Sequence, residues 1–272
     1  MRRRLHRVLV SAAGTGALLA AMGVTTAPAA HASDLTPAVA ETKVFSSPGM
    51  VDFPIPAGVT KISVAAVAAG GGGGGGGGAS VGTFSWGGGA GAGGSSGATV
   101  RCVLDVSKAK TLKITVGAGG ASGSGGHGGA IPVGGWNGTG GDPSRVRVDG
   151  SEKIYADWGG GGGGGWNGLT SSAGGTASGP GWKANSGCGG SDVSLQDGER
   201  GGNGEKGDSS GSGGKGGTEG TRWAPVGCPL RAGGGGSGGN GGTKADGNIN
   251  NGKSGLAGEA GCIVLTYTAG PS

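Results

Sequence analysis

Ile62-Ser63-Val64-Ala65-Ala66-Val67-Ala68-Ala69 runs without a break into residues 70–78, all glycine. Ile62, Val64 and Ala66 fall on one face of an extended chain, the period-2 pattern of a half-buried strand. The nine residues that follow have no Cβ. Strand texture and glycine texture therefore meet within one short stretch, and both recur along the rest of the chain.

The strand texture extends to either side. Phe53 and Ile55 lead into the turn Pro56-Ala57-Gly58. Val100, Cys102, Leu104 and Val106 share a face, and Leu112, Ile114 and Val116 do the same beyond a turn at 107–110, which predicts a hairpin. Val146 and Val148 precede Asp149-Gly150, a strong two-residue hairpin signal, and Ile154, Ala156 and Trp158 follow it. With a short strand near Val44 and a last one over 262–268, about eight strands are expected. No segment carries a helical apolar stripe.

The glycine texture has a period of three. Glycines recur at 88, 91, 94, 97; at 117, 120, 123, 126, 129; and at 159, 162, 165, 168. They recur again at 198, 201, 204, 207; at 211, 214, 217, 220; at 233, 236, 239, 242; and at 252, 255, 258, 261. Three residues per turn is the polyproline-II period. A glycine at every third position gives such a helix one bare face, along which backbones can approach and exchange N–H···O=C bonds. The same runs also fit a flexible Gly/Ser-type linker; the strands at both ends favour ordered segments over 159–261.

Of 272 residues, 77 are glycine, and only 11 are proline. Collagen needs far more imino acid, and an enzyme domain of this length needs more leucine, isoleucine and phenylalanine for its core. Residues 1–32 read as a secretory signal peptide, with Arg2, Arg3, Arg4 and Arg7 before an apolar stretch and an Ala30-His31-Ala32 cleavage site. After its removal, 17 basic residues face 16 acidic ones, a net charge of +1. A nucleic-acid partner loses its support, and the mature chain has no expected membrane span. The domain layout is then a linker at 33–43, a glycine-rich domain at 44–268 and a tail at 269–272. The product is expected to be secreted, extracellular or loosely held at the cell surface.

Cys102, Cys188, Cys228 and Cys262 remain in the mature chain, an even number that favours two disulfides in an exported protein. Four cysteines allow three pairings. Cys188 and Cys228 both lie in the late glycine-rich region, and Cys102 and Cys262 lie on strands. The expected pairs are Cys188–Cys228 and Cys102–Cys262.

The order of these parts resembles the bacterial secreted glycine-rich domain proteins. The residues that carry it are Phe45-Ser46-Ser47-Pro48-Gly49, Phe53-Pro54-Ile55-Pro56-Ala57-Gly58, the polyglycine at 70–78, Leu112-Lys113-Ile114-Thr115-Val116-Gly117-Ala118-Gly119-Gly120 and the terminal Gly261-Cys262-Ile263-Val264-Leu265-Thr266-Tyr267. It is also similar to the glycine-rich extracellular region of anaplastic lymphoma kinase. The resemblance implies a mainly β fold: a jelly-roll-like β-sandwich whose long insertions form a polyglycine-II helix bundle, in proteins that bind or adhere. Ala65-Ala66-Val67-Ala68-Ala69 departs from the family pattern, which carries a bulkier residue, often tryptophan, at the junction of sheet and bundle.

The tryptophans are the candidate ligand contacts. Gly-Gly-Trp-Asn-Gly occurs at 134–138 and again at 164–168. Trp136, Asn137, Trp166 and Asn167 from these copies, with Trp182 and Trp223 from other glycine-rich loops, are the residues expected to meet a ligand. Tryptophan beside glycine serves either as a plug over a bare face or as an exposed platform, and large aromatics dominate interface energetics. His127, in Gly125-Gly126-His127-Gly128-Gly129, reads as a solvated loop histidine and not as a general base. Gly201-Gly202-Asn203-Gly204-Glu205 approaches a calcium nonapeptide but has Glu in place of Asp and no tandem copy. No catalytic residue, cofactor or metal is expected. These features predict a secreted non-catalytic module that contacts a glycan or a surface protein. The alternative is a self-assembling structural protein of the cell envelope or matrix; ice binding and catalysis rank lower.

Overall fold

Alternating apolar residues build two antiparallel sheets in the computed structural model, which describes residues 40–82, 86–169, 172–179, 185–188, 192–221, 224–245 and 248–269, all within the unit Ala38–Ser272. The strands are β1 (Ala40–Phe45), β2 (Gly49–Pro54), β3 (Lys61–Val67), β4 (Thr99–Asp105), β5 (Thr111–Val116), β6 (Ser144–Val148), β7 (Ser151–Ala156), β8 (Asn185–Ser186), β9 (Ser194–Gln196), β10 (Lys244–Ala245), β11 (Asn248–Ile249) and β12 (Cys262–Thr268). One five-stranded sheet runs β1-β12-β3-β4-β9, the other β2-β5-β6-β7-β8, and β10-β11 form a small ribbon. The expected strands are β1 to β7 and β12. The four short strands β8 to β11 carry too few residues to show a period. β1 starts at Ala40, inside the stretch read as linker.

One core lies between the two large sheets. Ile62, Val64, Val100, Cys102 and Leu265 from one sheet meet Leu112, Ile114, Val146 and Ile154 from the other, all buried. Phe45, Phe53 and Tyr267 close one side of it, with ring centroids 6.1 and 5.9 Å apart. Asp149 and Gly150, with φ of 45° and 81°, make the β6–β7 turn that the Asp-Gly pair predicts. The expected β4–β5 hairpin is not formed. β4 pairs with β3 and β9, β5 pairs with β2 and β6, and the turn at 107–110 carries the chain from one sheet to the other. Both strands bury a row of apolar residues, so the alternation is equally well met by facing sheets as by one.

The glycine-rich insertions join β3 to β4, β5 to β6, β7 to β8 and β9 to β12. They leave from one end of the sheets, because Val67, Thr99 and Cys262 are register neighbours there. Beyond that end they run as extended rods linked by backbone hydrogen bonds. The 70–78 rod is enclosed by six others. Its amides donate in rotation to Glu259, Ser95 and Thr139, then to Leu256, Ala92 and Trp136, then to Lys253, Gly89 and Val133. Its carbonyls accept from Gly120, Gly123 and Gly126, from Gly236, Gly239 and Gly242, and from Gly162, Gly165 and Gly168. The three donor directions lead to antiparallel neighbours and the three acceptor directions to parallel ones. A second interior rod, 87–97, is bonded in the same rotation to Asp208, Glu205 and Gly202, to Gly242, Gly239 and Gly236, and to Trp166, Gly163 and Gly160.

This enclosure explains the sequence pattern. A Cβ on Gly71, Gly72 or Gly73 would stand 2.1, 2.1 or 2.0 Å from a carbonyl oxygen, each belonging to a different neighbouring rod. All three phases of the interior rod are closed to side chains, so it is continuous glycine. A peripheral rod faces inward at one phase only. A Cβ on Gly252, Gly255 or Gly258 would strike Gly76, Gly73 or Gly70, while Lys253 and Leu256, between them, are exposed. At the sheet end of the interior rod Ala68 and Ala69 are fully buried, and the amide of Ala69 donates to Asp142. The small residues of the junction let the rods close on the sheets.

The disulfides are Cys102–Cys188 and Cys228–Cys262, with Cα–Cα separations of 6.3 and 6.0 Å; the expected Cys188–Cys228 and Cys102–Cys262 pairs are not formed. β3 lies between β12 and β4, which places those two strands about 9.6 Å apart, beyond disulfide reach. The two cysteines also face opposite sides of their sheet. Cys102 belongs to the core between the sheets, whereas Cys262 packs with Val67, Val264, Ala232 and Ala224 on the outer side, under the loop that carries Cys228. Closing loops of 86 and 34 residues contributes about 4–5 and about 4 kcal/mol in the chain-entropy model.

Two predictions follow from this packing. Gly74→Ala would place a Cβ 2.2 Å from the Gly163 oxygen, so thermal denaturation should show a loss at or above the overpacking range of about 1–3 kcal/mol. Ser122→Ala, on an exposed phase of a peripheral rod, should leave the midpoint unchanged. Equal midpoints for the two variants would contradict a closed interior rod. The second concerns Tyr267, whose hydroxyl donates to Glu41 Oε2 at 2.9 Å. Burial, then the hydrogen bond and charge of Glu41, raise its pKa above the ordinary phenol value. The folded state therefore favours the neutral phenol. Its contribution is complete below about pH 10 and is lost as pH rises through the folded value. Stability measured by urea titration should fall above about pH 10, and Tyr267→Phe should flatten that slope.

Candidate binding face

The two Gly-Gly-Trp-Asn-Gly copies lie on neighbouring antiparallel rods. The Gly135 and Gly138 amides donate to the Gly165 and Gly162 carbonyls, at 2.8 and 2.9 Å. The Trp136 carbonyl accepts from Gly75, and the Trp166 oxygen abuts Gly77. The two tryptophans are thus about 6 Å apart along the bundle axis at ~3.1 Å per residue. Their side chains point outward and are 66% and 59% exposed. The inward phase is taken by the preceding glycines, Gly135 and Gly165, where a Cβ would stand 2.0 and 2.1 Å from a carbonyl oxygen.

More apolar residues gather toward the end of the bundle away from the sheets. The Val133 carbonyl accepts from Gly78, Trp86 accepts from Ser80, and Leu169 follows Gly168, which donates to Gly78. Val133, Trp86 and Leu169 are all exposed, as is Ile131 at 85%. Trp86 lies in a glycine-rich stretch outside both pentapeptide copies. Ile131, Val133 and Leu169 have no sequence signal, since single apolar residues among glycines show no period.

The asparagines of the two copies are engaged in the framework. Asn137 Oδ1 accepts from the Gly164 amide at 2.8 Å and so joins the two copies directly. Asn167 Oδ1 accepts from Leu169 at 3.2 Å, closing a local turn. Asn203, Asn240 and Asn251 do the same for Ala177, Gly216 and Gly128 on adjoining rods. A peripheral amide that no carbonyl can reach is satisfied by a short side-chain amide from the next rod. Asn203, in the calcium-like stretch, is used in this way. The side-chain NH2 of Asn137 keeps two donors for other partners. Trp182 and Trp223 lie outside the described residues.

The strand alternation continues to Trp158 in sequence, but β7 stops at Ala156. Its ring is 41% exposed, and Cδ1 and Nε1 stand 3.0 Å from where a Cβ of Gly140 would be. Among the described residues no three His, Cys, Asp or Glu side chains are grouped to hold a metal ion, and no helix is long and apolar enough to cross a membrane. His127 is exposed, and its carbonyl accepts from Val133.

Asn137→Ala removes the acceptor of the Gly164 amide. Its cost should be about 1 kcal/mol, a fall of about 2–4 °C in Tm for a domain of this size. Asn137→Asp, which keeps an acceptor oxygen in place, should recover most of the loss.

A family model described as a glycine-rich domain matches residues 46–268, which takes in β2 to β12 and the rods. No curated protein matches the chain significantly.

Proposed function

We propose that this chain, which belongs to the glycine-rich domain family over residues 46–268, is a secreted, non-catalytic binding or adhesion module whose bundle contacts a glycan or a surface protein. The observation that carries the reading is the pairing of the two Gly-Gly-Trp-Asn-Gly copies, 30 residues apart in sequence, into one face with both indoles turned outward. Large exposed aromatics on a rigid frame lose little side-chain freedom when they meet a partner, and such residues anchor interfaces. The rods are read as polyglycine-II helices. Their three-residue hydrogen-bond rotation supports this, since it is the period of that helix form. Two cysteine pairs within disulfide reach support an oxidising, extracellular setting. The near-neutral mature chain supports partners other than nucleic acid.

A second reading, self-assembly in an envelope or matrix, has its own support. The loop held by Cys228–Cys262 exposes Val226 at 80% and Leu230 at 93% beside Val44 on the edge strand β1. Exposed apolar residues at a sheet edge are a means of chain-to-chain contact.

The mature protein applied to a glycan array and to a panel of cell-surface proteins should give hits that Trp136→Ala/Trp166→Ala abolishes. Sedimentation of large polymers, abolished by Leu230→Ser and accompanied by no hit on either panel, would instead support self-assembly.

A further inference from the structure

A groove of about 510 Å³ runs along the bundle beside the tryptophan face. Its floor is the 161–164 stretch of one rod. One wall is the rod of Asn137 and Gly140, the other the rod of Thr176 and Ser178, and Trp166 stands at the end away from the sheets. Trp158 is not itself in the lining, but its ring packs against Gly140, a wall residue at the end toward the sheets. The backbone positions of Trp158 and Trp166 are eight residues apart along this rod, about 25 Å at ~3.1 Å per residue. The floor carries no side chain, and none can be added at its buried positions. A Cβ on Gly161 or Gly162 would meet a backbone oxygen at 2.2 or 2.1 Å.

The lining selects a ligand class. No ionisable side chain contributes to it, so neither an anionic nor a cationic chain would find a counter-charge there. The floor presents fixed peptide groups, and the walls add the Asn137 side-chain NH2 and the Thr176 and Ser178 hydroxyls. Protein partners are held by apolar anchors in pockets, and a bare glycine floor provides no such pocket. A ligand rich in hydroxyls, with flat apolar ring faces for the indoles at either end, matches every wall. The volume lies in the range of small-ligand sites, and the length exceeds any single sugar ring.

We infer that this groove binds a linear, uncharged oligosaccharide lying along the rod axis, with Trp158 and Trp166 as end platforms and Asn137, Thr176 and Ser178 as polar contacts. The inference rests on the glycan half of the reading above and adds the chemical class, the direction and Trp158.

Calorimetry of the mature protein with neutral oligosaccharides of one to six units, such as cello- and chito-oligosaccharides and mannans, and with anionic ones, such as oligoalginate, provides the test. Affinity for a neutral series should rise with length and level off once both platforms are spanned. Trp158→Ala and Trp166→Ala should each weaken it about tenfold, the loss usual for an aromatic anchor. Leu230→Ser, on the loop held by Cys228–Cys262 and outside the groove lining, should leave it unchanged, and unaltered Tm values would show that the variants fold. Preference for the anionic chains, or loss in Trp136→Ala with no loss in Trp158→Ala, would overturn the groove assignment and leave the glycan reading standing. Absence of binding to every oligosaccharide, with hits on the glycan array also absent, would overturn both.

Discussion

A carbonyl oxygen stands about where the Cβ of each residue from 70 to 78 would be, 2.0–2.2 Å away in every case. The rest of the bundle depends on this approach. It lets one extended rod exchange hydrogen bonds with six neighbours, so that buried backbone is satisfied without helix or sheet. It also forces the composition, because a single side chain on the interior rod displaces a neighbouring backbone, not another side chain that could turn aside. The glycine content of the chain is therefore a packing requirement distributed by phase: all three phases on the 70–78 rod, one phase on the 252–258 rod.

Glycine makes such a lattice costly to order. Fixing a backbone costs about 1–2 kcal/mol per residue, and glycine loses more freedom than any other residue, whereas a hydrogen bond returns about 1 kcal/mol net. Hydrogen bonding by itself does not hold the rods. The sandwich contributes by fixing the ends of the insertions at one edge, where Val67, Thr99 and Cys262 stand side by side. The disulfides reinforce the β7–β8 insertion and the longest one, β9–β12. Cys188 ties the return of the β7–β8 insertion to β4, and Cys228 ties the loop between the 212–221 and 233–242 rods to β12.

The eight longer strands were legible because Ile62, Val64, Leu112, Ile114 and their like alternate cleanly, and the Asp149-Gly150 turn was legible because two successive positive φ angles demand such residues. The three-residue glycine phases were legible for the peripheral rods, where non-glycine residues mark the outward phases. They carry no information for the 70–78 rod, whose neighbours could be identified only in space. The disulfide pairs were not legible because β12 is apolar on both faces: Ile263 and Leu265 enter the core between the sheets, Cys262 and Val264 the outer patch. Alternation alone does not say which row faces which. At the binding face, Trp136 and Trp166 were visible as a repeated pentapeptide. Trp158 was not, because it follows Ile154 and Ala156 in phase and the strand ends two residues before it.

Because the 70–78 rod admits no side chains and the 87–97 rod only buried alanine and serine, a ligand of the bundle would be met by the outward phases of the peripheral rods. Those positions are free of packing duty except where an amide needs an acceptor, and there asparagine, threonine or serine supplies the oxygen from the neighbouring rod. Side chains on the outward phases can therefore change without disturbing the lattice, much as loops vary on a β-sandwich. The difference is that their spacing is fixed by the rods at three residues along the axis. A ligand that is itself a regular linear chain is the natural match for such a surface, since both partners then present contacts at repeated intervals along one direction. Trp158 and Trp166, eight residues apart on one rod, define that direction on this molecule.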